Sequence, residues 1–509
     1  MTDTRWKWLL GAIVAIQIAV FSLFITDPFV DGRLHINWGP AFWLLKAQHM
    51  HEVNFFEAYL GVVADTKIVD GRTVAAGWYS SHPQFIAIPL YVWTAIFGFG
   101  EWVVRSLAAL VTVATTIIFW FAMRVRHTPK QATLFAAAWA FMPLYVAFGR
   151  KLDQEPFVML FFALACLGYE RFASGKTRMP WLWGASMLFM VWSDWSGFVI
   201  AGLLLLAHAA LMRYWKPARL LALWNLIGSG CGAAIVAFQA ILPNGSLAGA
   251  MTEAQNLYAY RAGTSEKFFW YTWAKKQLSY FWQNYVWLFG FLSATIFIRS
   301  VLMKKNLFTA IKTRGFEIEH LFGIAAIACL VYALLVPQAT SIHIYYQYFY
   351  GPLVAWGGLL FFEWMERYVH RYAINAFVPA TIFGIVLALG LYHGITILSV
   401  DRMAGWGWTG EIGLMKYVAT LDKNKPIIAI TGGANINTWF DNPNITYYAG
   451  RHIQTIDSPA GDFTYPYVIM GNEYITERTN ELNKKVASDE EYRILQCSQA
   501  LCLLGVVKK

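Results

Sequence analysis

Long apolar segments separated by short polar ones fill the first four-fifths of the 509-residue chain. The first of them, WLLGAIVAIQIAVFSLFIT at 8–26, is long enough for a helix that crosses about 30 Å of hydrocarbon, and it lacks the cleavage site of a signal peptide. Ten similar segments follow, at 102–123, 131–148, 156–172, 180–194, 197–213, 219–242, 284–302, 319–338, 350–366 and 374–398. The pattern predicts a polytopic α-helical membrane protein with about eleven transmembrane helices.

A further apolar segment, 83–100, follows a His-Pro pair and is interrupted by Pro89. We interpret it as an interfacial helix within a long first external loop, 27–101. Every second loop is then basic, as the cytoplasmic side requires; these loops are 124–130, 170–178, 213–219, 303–314 and 366–371. The sequence therefore predicts a multi-pass protein of the cell (inner or plasma) membrane, with its other loops outside the cytoplasm.

The pattern changes after residue 400. Apolar runs at 426–430, 445–450, 467–471 and 493–507 have the length of strands and are separated by Gly, Asn, Asp and Pro. We predict a transmembrane domain, 1–400, and a small extracytoplasmic α/β domain, 401–509. Cys497 and Cys502 flank a four-residue turn between two short strands, which predicts a disulfide if this domain is outside the cytoplasm.

Composition agrees with a membrane protein, because 58% of the residues are hydrophobic and only 14% are charged. A soluble chain has roughly a quarter charged residues. The net charge of +10 is explained by the basic cytoplasmic loops, so we expect membrane lipid and no nucleic acid as a partner.

Two cations and two carboxylates occur together in GRKLDQEP, 149–156, directly before an apolar segment. Charges beside hydrocarbon are costly unless they have partners. Asp153 and Glu155 could hold a divalent cation, Mg²⁺ or Mn²⁺, through oxygen ligands. Arg150 and Lys151 could bind a phosphate, with Arg150 in bidentate geometry. The alternative is a solvated helix start whose acids are favoured by the helix dipole.

Several motifs occur in a fixed order along the chain. They are HP (82–83), FG with WVVR (97–98 and 102–105), GRKLDQEPFVMLFF (149–162), HIYYQYFYG (343–351) and ITYYAGR (445–451). In this order the chain resembles the GT-C superfamily of integral-membrane glycosyltransferases, in the branch of the dolichyl-phosphate-mannose protein mannosyltransferases and the aminoarabinose transferase. The resemblance implies a GT-C fold. It also implies inverting transfer of a sugar from a polyprenyl-phosphate carrier to an acceptor hydroxyl of a lipid, protein or polysaccharide at the outer leaflet.

The resemblance also implies roles for individual residues. A first-loop acid should act as general base, but Asn37 and Gly39 occupy the corresponding place. We therefore assign Asp31 as the base, with His35 as a second choice. Asp153 and Glu155 correspond to the second acidic site of the family, which follows the third span.

Carrier or sugar binding is predicted for side chains of four external segments. These are Arg150 and Lys151, His82, Arg261, and His343 with Tyr345 and Tyr346. Asp194 in WSDWSG stands where the aminoarabinose branch has a lysine, and we interpret it as structural or sugar-binding.

Two other classes of protein remain alternatives. One is a transporter or flippase of polyprenyl-linked sugars, although such proteins usually have ionisable residues near the middle of the bilayer. The other is a non-catalytic subunit with the GT-C fold. The predicted spans are almost free of acids and the charges cluster at one face, which favours an enzyme acting at the membrane surface.

Overall fold

The computed structural model describes most of the chain. The residues outside the description are 1–2, 31–33, 35, 55, 59–60, 70–71, 80, 264–267, 287, 303–310, 312–314, 373–376, 406–408, 423–424, 431–442, 451–452, 457–464, 473–474 and 509. The predicted base Asp31 and its alternative His35 are therefore outside the described residues.

Helices dominate the first 400 residues. They are α1 (Asp3–Ser22), α2 (Trp38–Val53), α3 (Ala87–Phe97), α4 (Glu101–Met123), α5 (Pro129–Ala140), α6 (Pro143–Phe148), α7 (Gln154–Ala173), α8 (Trp181–Ser193), α9 (Trp195–Leu211), α10 (Pro217–Asn244), α11 (Leu247–Ala262), α12 (Trp270–Asn284), α13 (Leu288–Leu302), α14 (Ile318–Leu335), α15 (Pro337–Ile342), a 3₁₀ helix (Ile344–Tyr350), α16 (Gly351–Arg371) and α17 (Phe377–Ala404).

Six of these helices are long and apolar enough to cross a membrane: α1, α4, α7, α10, α14 and α17. A seventh span results if α12 and α13, which meet at an angle of 99°, are counted as one. The prediction of a multi-pass helical membrane protein is thus supported, whereas the count of eleven spans stays a prediction. The apolar helix α3 has 11 residues, about half the length that a span needs.

Two helix breaks place polar side chains between the apolar helices. Residues 149–153 separate α6 from α7, and the Asp153 carboxylate caps α7 by accepting the Gln154 N–H at 3.1 Å. Asp194 separates α8 from α9 and caps α9 by accepting the Ser196 N–H at 3.0 Å. Short acidic side chains stabilise helix starts in this way, and both acids are held in fixed orientations.

The first loop contains α2, α3 and an antiparallel hairpin of β1 (Val63–Val69) and β2 (Arg72–Trp78). Its start is attached to the bundle by Arg105 of α4, which is 2% exposed. The guanidinium donates to the carbonyls of Ile25 and Asp27 at 2.8 and 2.5 Å and to Asn37 Oδ1 at 2.8 Å. One buried cation thus holds both ends of the segment that carries the predicted base.

The chain after α17 contains three described helices and a mixed sheet. These elements are α18 (Thr409–Ala419), α19 (Pro443–Ala449), α20 (Ile475–Asn483), β3 (Ile427–Ile430), β4 (Gln454–Ile456), β5 (Tyr467–Gly471), β6 (Glu490–Cys497) and β7 (Leu501–Lys508). The strand order is β4-β3-β5-β7-β6, with β3 parallel to both of its neighbours and β7 antiparallel to both of its own.

The two faces of this sheet belong to different hydrophobic clusters, because side chains alternate along a strand. Ile427 and Ala429 join the large core of the helical bundle, whereas Ile428 and Ile430 pack in a smaller cluster with Leu482 of α20. The division of the chain at residue 400 stays a prediction. The predicted disulfide is confirmed, since Cys497 and Cys502 are bonded across the β6–β7 turn.

The predicted strand at 445–450 is wrong, because these residues lie in and just after helix α19. Pro443 occupies the first turn, where proline is favourable, and Gly450 ends the helix at a φ of +60°, which costs glycine little. The helix directs Tyr448 towards the first loop, where its hydroxyl accepts the Phe29 N–H at 2.7 Å and donates to Glu101 at 2.8 Å. This long-range packing overrides the strand propensity of the Ile-Thr-Tyr-Tyr run.

The contacts of Arg105 generate a prediction about stability. Arg105→Met removes the donor from buried acceptors of residues 25–37, and an unsatisfied buried acceptor costs about 1–3 kcal/mol. We expect a lower thermal midpoint in detergent and faster proteolysis within residues 24–37. Arg171→Met is the matched control, because Arg171 is exposed and its replacement should change neither measurement. An Arg105→Met variant as stable and resistant as the parent would show that other contacts hold the loop.

Candidate active site

Lys151, Asp153 and Glu155 of GRKLDQEP come together with Tyr345 of the 3₁₀ helix. The Lys151 ammonium forms an ion pair with Asp153 Oδ2 and lies 3.3 Å from the centre of the Tyr345 ring. Lys151 and Glu155 are each 2% exposed, and Glu155 Oε2 has no hydrogen-bond partner among the described residues. These side chains, with Phe148, Pro156 and Tyr348, line a cavity of about 10 Å³, enough for one water molecule.

Arg150 points away from this group. Its Nη1 donates to the carbonyl of Leu23 at the end of α1. Burial, and then the neighbouring Arg105 guanidinium, lower the pKa of Arg150 to about 9. The structure thus separates the two adjacent cations, and the predicted phosphate contact of Arg150 stays a prediction.

A second polar group forms around His82. Its Nδ1 lies 2.8 Å from Asp194 Oδ1, and its Nε2 lies 2.5 Å from Nη2 of Arg261. Ser196 donates its hydroxyl to the other Asp194 oxygen at 2.6 Å. Asp194 is fully buried. The hydrogen-bonded row Ser196–Asp194–His82–Arg261 connects the α8–α9 break to the end of α11.

This row stands at the edge of a largely apolar cavity of about 400 Å³. Its walls include Phe198, Val236, Leu257 and Val336, and both His82 and Arg261 line it. Arg261 is 9% exposed, and its Nη1 is buried without a hydrogen-bond partner in the described part of the chain. A guanidinium with a spare donor at the end of an apolar cavity suits a ligand with an anionic head and a hydrocarbon tail.

Three tyrosines connect the Lys151 group to the His82 group. Tyr79 stacks on His82 with ring centres 6.2 Å apart, and the carboxylates of Asp153 and Asp194 act electrostatically on its phenol. The rings of Tyr345 and Tyr346 are 5.4 Å apart, and each is near His343, at 5.1 and 5.7 Å. Burial raises the pKa of both phenols well above the usual range, so they are neutral donors and acceptors.

The predicted divalent cation is not matched by a complete ligand set at Asp153 and Glu155. Among the described residues, three potential ligands within 4.8 Å of one another occur in Glu317, Glu319 and His320. That group is at the opposite end of α14 from Tyr332, which lines the apolar cavity, roughly 20 Å along the helix axis. Beside Asp153 the positive charge is the Lys151 ammonium, and metal binding at Asp153 and Glu155 stays a prediction.

Three residues make contacts at the site that no local sequence pattern predicts. Asp194 is expected to be structural or sugar-binding, and its pairing with His82 joins residues 112 positions apart. Tyr79 has no sequence signal beyond its nearness to His82. Gly39 of α2 packs on the 151–153 segment: a Cβ there would lie 3.0 Å from the Leu152 carbonyl and 3.2 Å from Lys151 Cε.

Comparisons with known proteins agree with this architecture. The family model of the dolichyl-phosphate-mannose-protein mannosyltransferases matches residues 81–237. No curated protein matches the chain by sequence. The structure of ArnT from Cupriavidus metallidurans bound to undecaprenyl phosphate matches with a TM-score of 0.58 and 14% identity, over 98% of each chain. The chain has the GT-C fold.

A second solved structure extends the likeness. The archaeal oligosaccharyltransferase AglB from Archaeoglobus fulgidus, in complex with an inhibitory peptide and a dolichol-phosphate, matches with a TM-score of 0.54 and 12% identity, over 95% of this chain and 71% of that one. The resemblance predicted from the order of the sequence motifs is therefore confirmed at the level of the fold.

The close approach of Gly39 to the Lys151 segment generates a second prediction. Gly39→Val inserts a branched side chain against the Leu152 carbonyl, and overpacking of this kind costs about 1–3 kcal/mol. We expect a lower thermal midpoint for this variant. Gly202→Val is the control, because no atom lies within 4 Å of a Cβ at Gly202. Equal stability of the two variants would contradict the packing of α2 on residues 151–153.

Proposed function

We propose that this protein is an inverting glycosyltransferase that moves a sugar from a polyprenyl-phosphate carrier to an acceptor hydroxyl at the outer face of the membrane. The observation that carries the proposal is the buried Arg261 guanidinium, whose Nη1 has no described partner, at the edge of an apolar cavity. The carboxylates of Asp153 and Glu155 belong to the neighbouring polar group around Lys151. Tyr79 and Tyr345 connect that group to the group around His82 and Arg261.

The carrier is proposed to bind with its phosphate at Arg261 and His82 and its first prenyl units in the apolar cavity. Arginine can hold a phosphate with two parallel hydrogen bonds, and apolar walls favour a hydrocarbon chain. Two proteins of the same fold support this class of ligand, since the ArnT structure has bound undecaprenyl phosphate and the AglB structure is a complex with a dolichol-phosphate.

The transfer is proposed to follow a single displacement. The acceptor oxygen attacks the anomeric carbon from the side opposite the phosphate, and the new C–O bond forms as the bond to the phosphate oxygen breaks. Asp31 takes the proton of the acceptor hydroxyl. The phosphate leaves on the carrier, and the cations at Arg261 and Lys151 stabilise its growing charge.

Glu155, Asp153 and the aromatic pair Tyr345–Tyr346 are proposed to hold the sugar. Carboxylates accept hydrogen bonds from sugar hydroxyls, and His343 beside the two rings adds a further polar contact. If a divalent cation such as Mg²⁺ or Mn²⁺ binds, Asp153 and Glu155 are its proposed ligands, and it would supply charge neutralisation for the phosphate. The acceptor is a lipid, a protein or a polysaccharide.

Substitutions at two carboxylates test the transfer. Glu155→Gln keeps the shape and removes the charge, and we expect transfer from a panel of polyprenyl-phosphate sugars to fall roughly a hundredfold or more. Asp31→Asn should abolish turnover and leave carrier binding largely intact, because a base acts on the acceptor proton. Asp489→Asn, at an exposed position, is the matched control. Normal transfer by both site variants would refute these roles.

The protein is proposed to cross the membrane eleven times, with its basic loops in the cytoplasm. The active site and the domain of residues 401–509 are then outside the cytoplasm. A reporter enzyme that works only outside the cytoplasm, fused after residue 509, should be active. The same reporter fused within 124–130 should be inactive. The reverse pattern would overturn the topology without affecting the fold.

A further inference from the structure

The hydrogen-bonded row Ser196–Asp194–His82–Arg261 determines the protonation state of His82. The inference drawn from this row rests on the carrier site proposed above. Asp194 is a carboxylate, so it accepts a hydrogen bond, and the Nδ1 atom of His82 at 2.8 Å must carry the proton. Arg261 can only donate, so Nε2 of His82 must accept from it. The imidazole is therefore neutral, with its proton on Nδ1 and its lone pair on Nε2.

This tautomer is stabilised from both sides. Asp194 is held by the Ser196 hydroxyl and backbone N–H at 2.6 and 3.0 Å, which fixes the acceptor oxygen towards His82. Burial, and then the adjacent Arg261 charge, lower the pKa of His82 below its usual value. Without an anion the ring is therefore uncharged near neutral pH.

Other groups around His82 change the charge balance little. Charged and titratable side chains around His82 include Asp194, Arg261, Asp153, Tyr79, Tyr332, Tyr346 and Glu155, and Glu253 of α11 lines the same cavity. Asp153 is already paired with Lys151, and burial raises the pKa of Tyr79 and Tyr346. Asp194 and Arg261 thus cancel around a neutral ring.

A phosphate at Arg261 disturbs this balance. It brings at least one negative charge, and a terminal phosphate brings about −1.5 to −2 near pH 7. The Nε2 lone pair accepts from Arg261 Nη2 in the free protein. A phosphate oxygen that receives Nη1 and Nη2 takes this donor away from the ring. A proton on the freed Nε2 then donates a charged hydrogen bond to the same anion, and Asp194 behind the ring stabilises the imidazolium.

We propose that binding of the carrier phosphate is coupled to the uptake of one proton by His82 Nε2, and that Asp194 is the positioning residue that enables it. The proton comes from solvent and no covalent bond changes. After sugar transfer the phosphate gains a second negative charge, which the same imidazolium faces. Asp194 thereby makes the histidine cationic only when the anion is present.

The affinity for the carrier phosphate should depend on pH. Binding raises the pKa of His82 from its lowered value in the free protein, so the bound form holds more protons. Between the free and bound pKa values, affinity should fall as pH rises, by up to about tenfold per pH unit. Above the bound pKa the dependence ends, because neither form is protonated.

Calorimetry on the full-length protein in detergent measures this coupling. Undecaprenyl phosphate is titrated at one pH in buffers of different ionisation enthalpy, and we expect uptake of close to one proton per phosphate. The Asp194→Asn variant should bind undecaprenyl phosphate more weakly and take up far less than one proton per phosphate. Asp489→Asn, exposed, should match the parent.

A second variant separates proton coupling from damage to the fold. His82→Lys supplies a permanent cation, so this variant should bind undecaprenyl phosphate with little proton uptake and little pH dependence. Any proton uptake that persists in this variant belongs to the lipid phosphate itself. Full uptake by both Asp194→Asn and His82→Lys would overturn the inference. Parent protein that binds undecaprenyl phosphate without proton uptake would also overturn the inference, whereas absence of binding would refute the proposed carrier site.

Inorganic phosphate should bind far more weakly than the lipid, and equal affinity would refute the role of the apolar cavity.

Discussion

Charge buried at the end of a helical bundle must have a partner there, and the candidate site of this protein is organised by that constraint. Arg105, Arg150, Lys151, Asp194 and Glu155 are each at most 4% exposed. Moving an unpaired ion from water into such surroundings costs several kcal/mol. Most of these groups are therefore engaged by backbone carbonyls or ion pairs, and they fix the first loop and the helix breaks in place.

Two of the exceptions to this pairing lie in the candidate site. Arg261 Nη1 and Glu155 Oε2 are buried polar atoms without hydrogen-bond partners among the described residues. Buried polar groups are normally satisfied, so unsatisfied ones of both signs, connected by Tyr79, Tyr345 and Tyr346, indicate a place for a ligand. A ligand with phosphate and hydroxyl groups would meet both needs.

The GT-C fold alone does not define the chemistry, because the solved relatives share only 12–14% of their residues with this chain. The arrangement of charged side chains at the candidate site adds what the fold leaves open. Asp194 occupies the α8–α9 break, and Arg261 reaches the same place from α11. A histidine between a fixed acceptor and a fixed donor has a single neutral tautomer.

Local features of the sequence determined much of this protein. The apolar segments predicted the bundle, the Cys497–Cys502 spacing predicted the disulfide, and the charges of GRKLDQEP marked the start of α7, because hydrophobic length, turn spacing and capping act between near neighbours in the chain. Tertiary structure decided the rest. It separated Arg150 from Lys151, made a helix of 443–449, and joined His82 to Asp194 and Arg261 across 112 and 179 residues. Such contacts depend on which helices pack side by side, and no local pattern encodes the distance between two side chains so far apart in sequence.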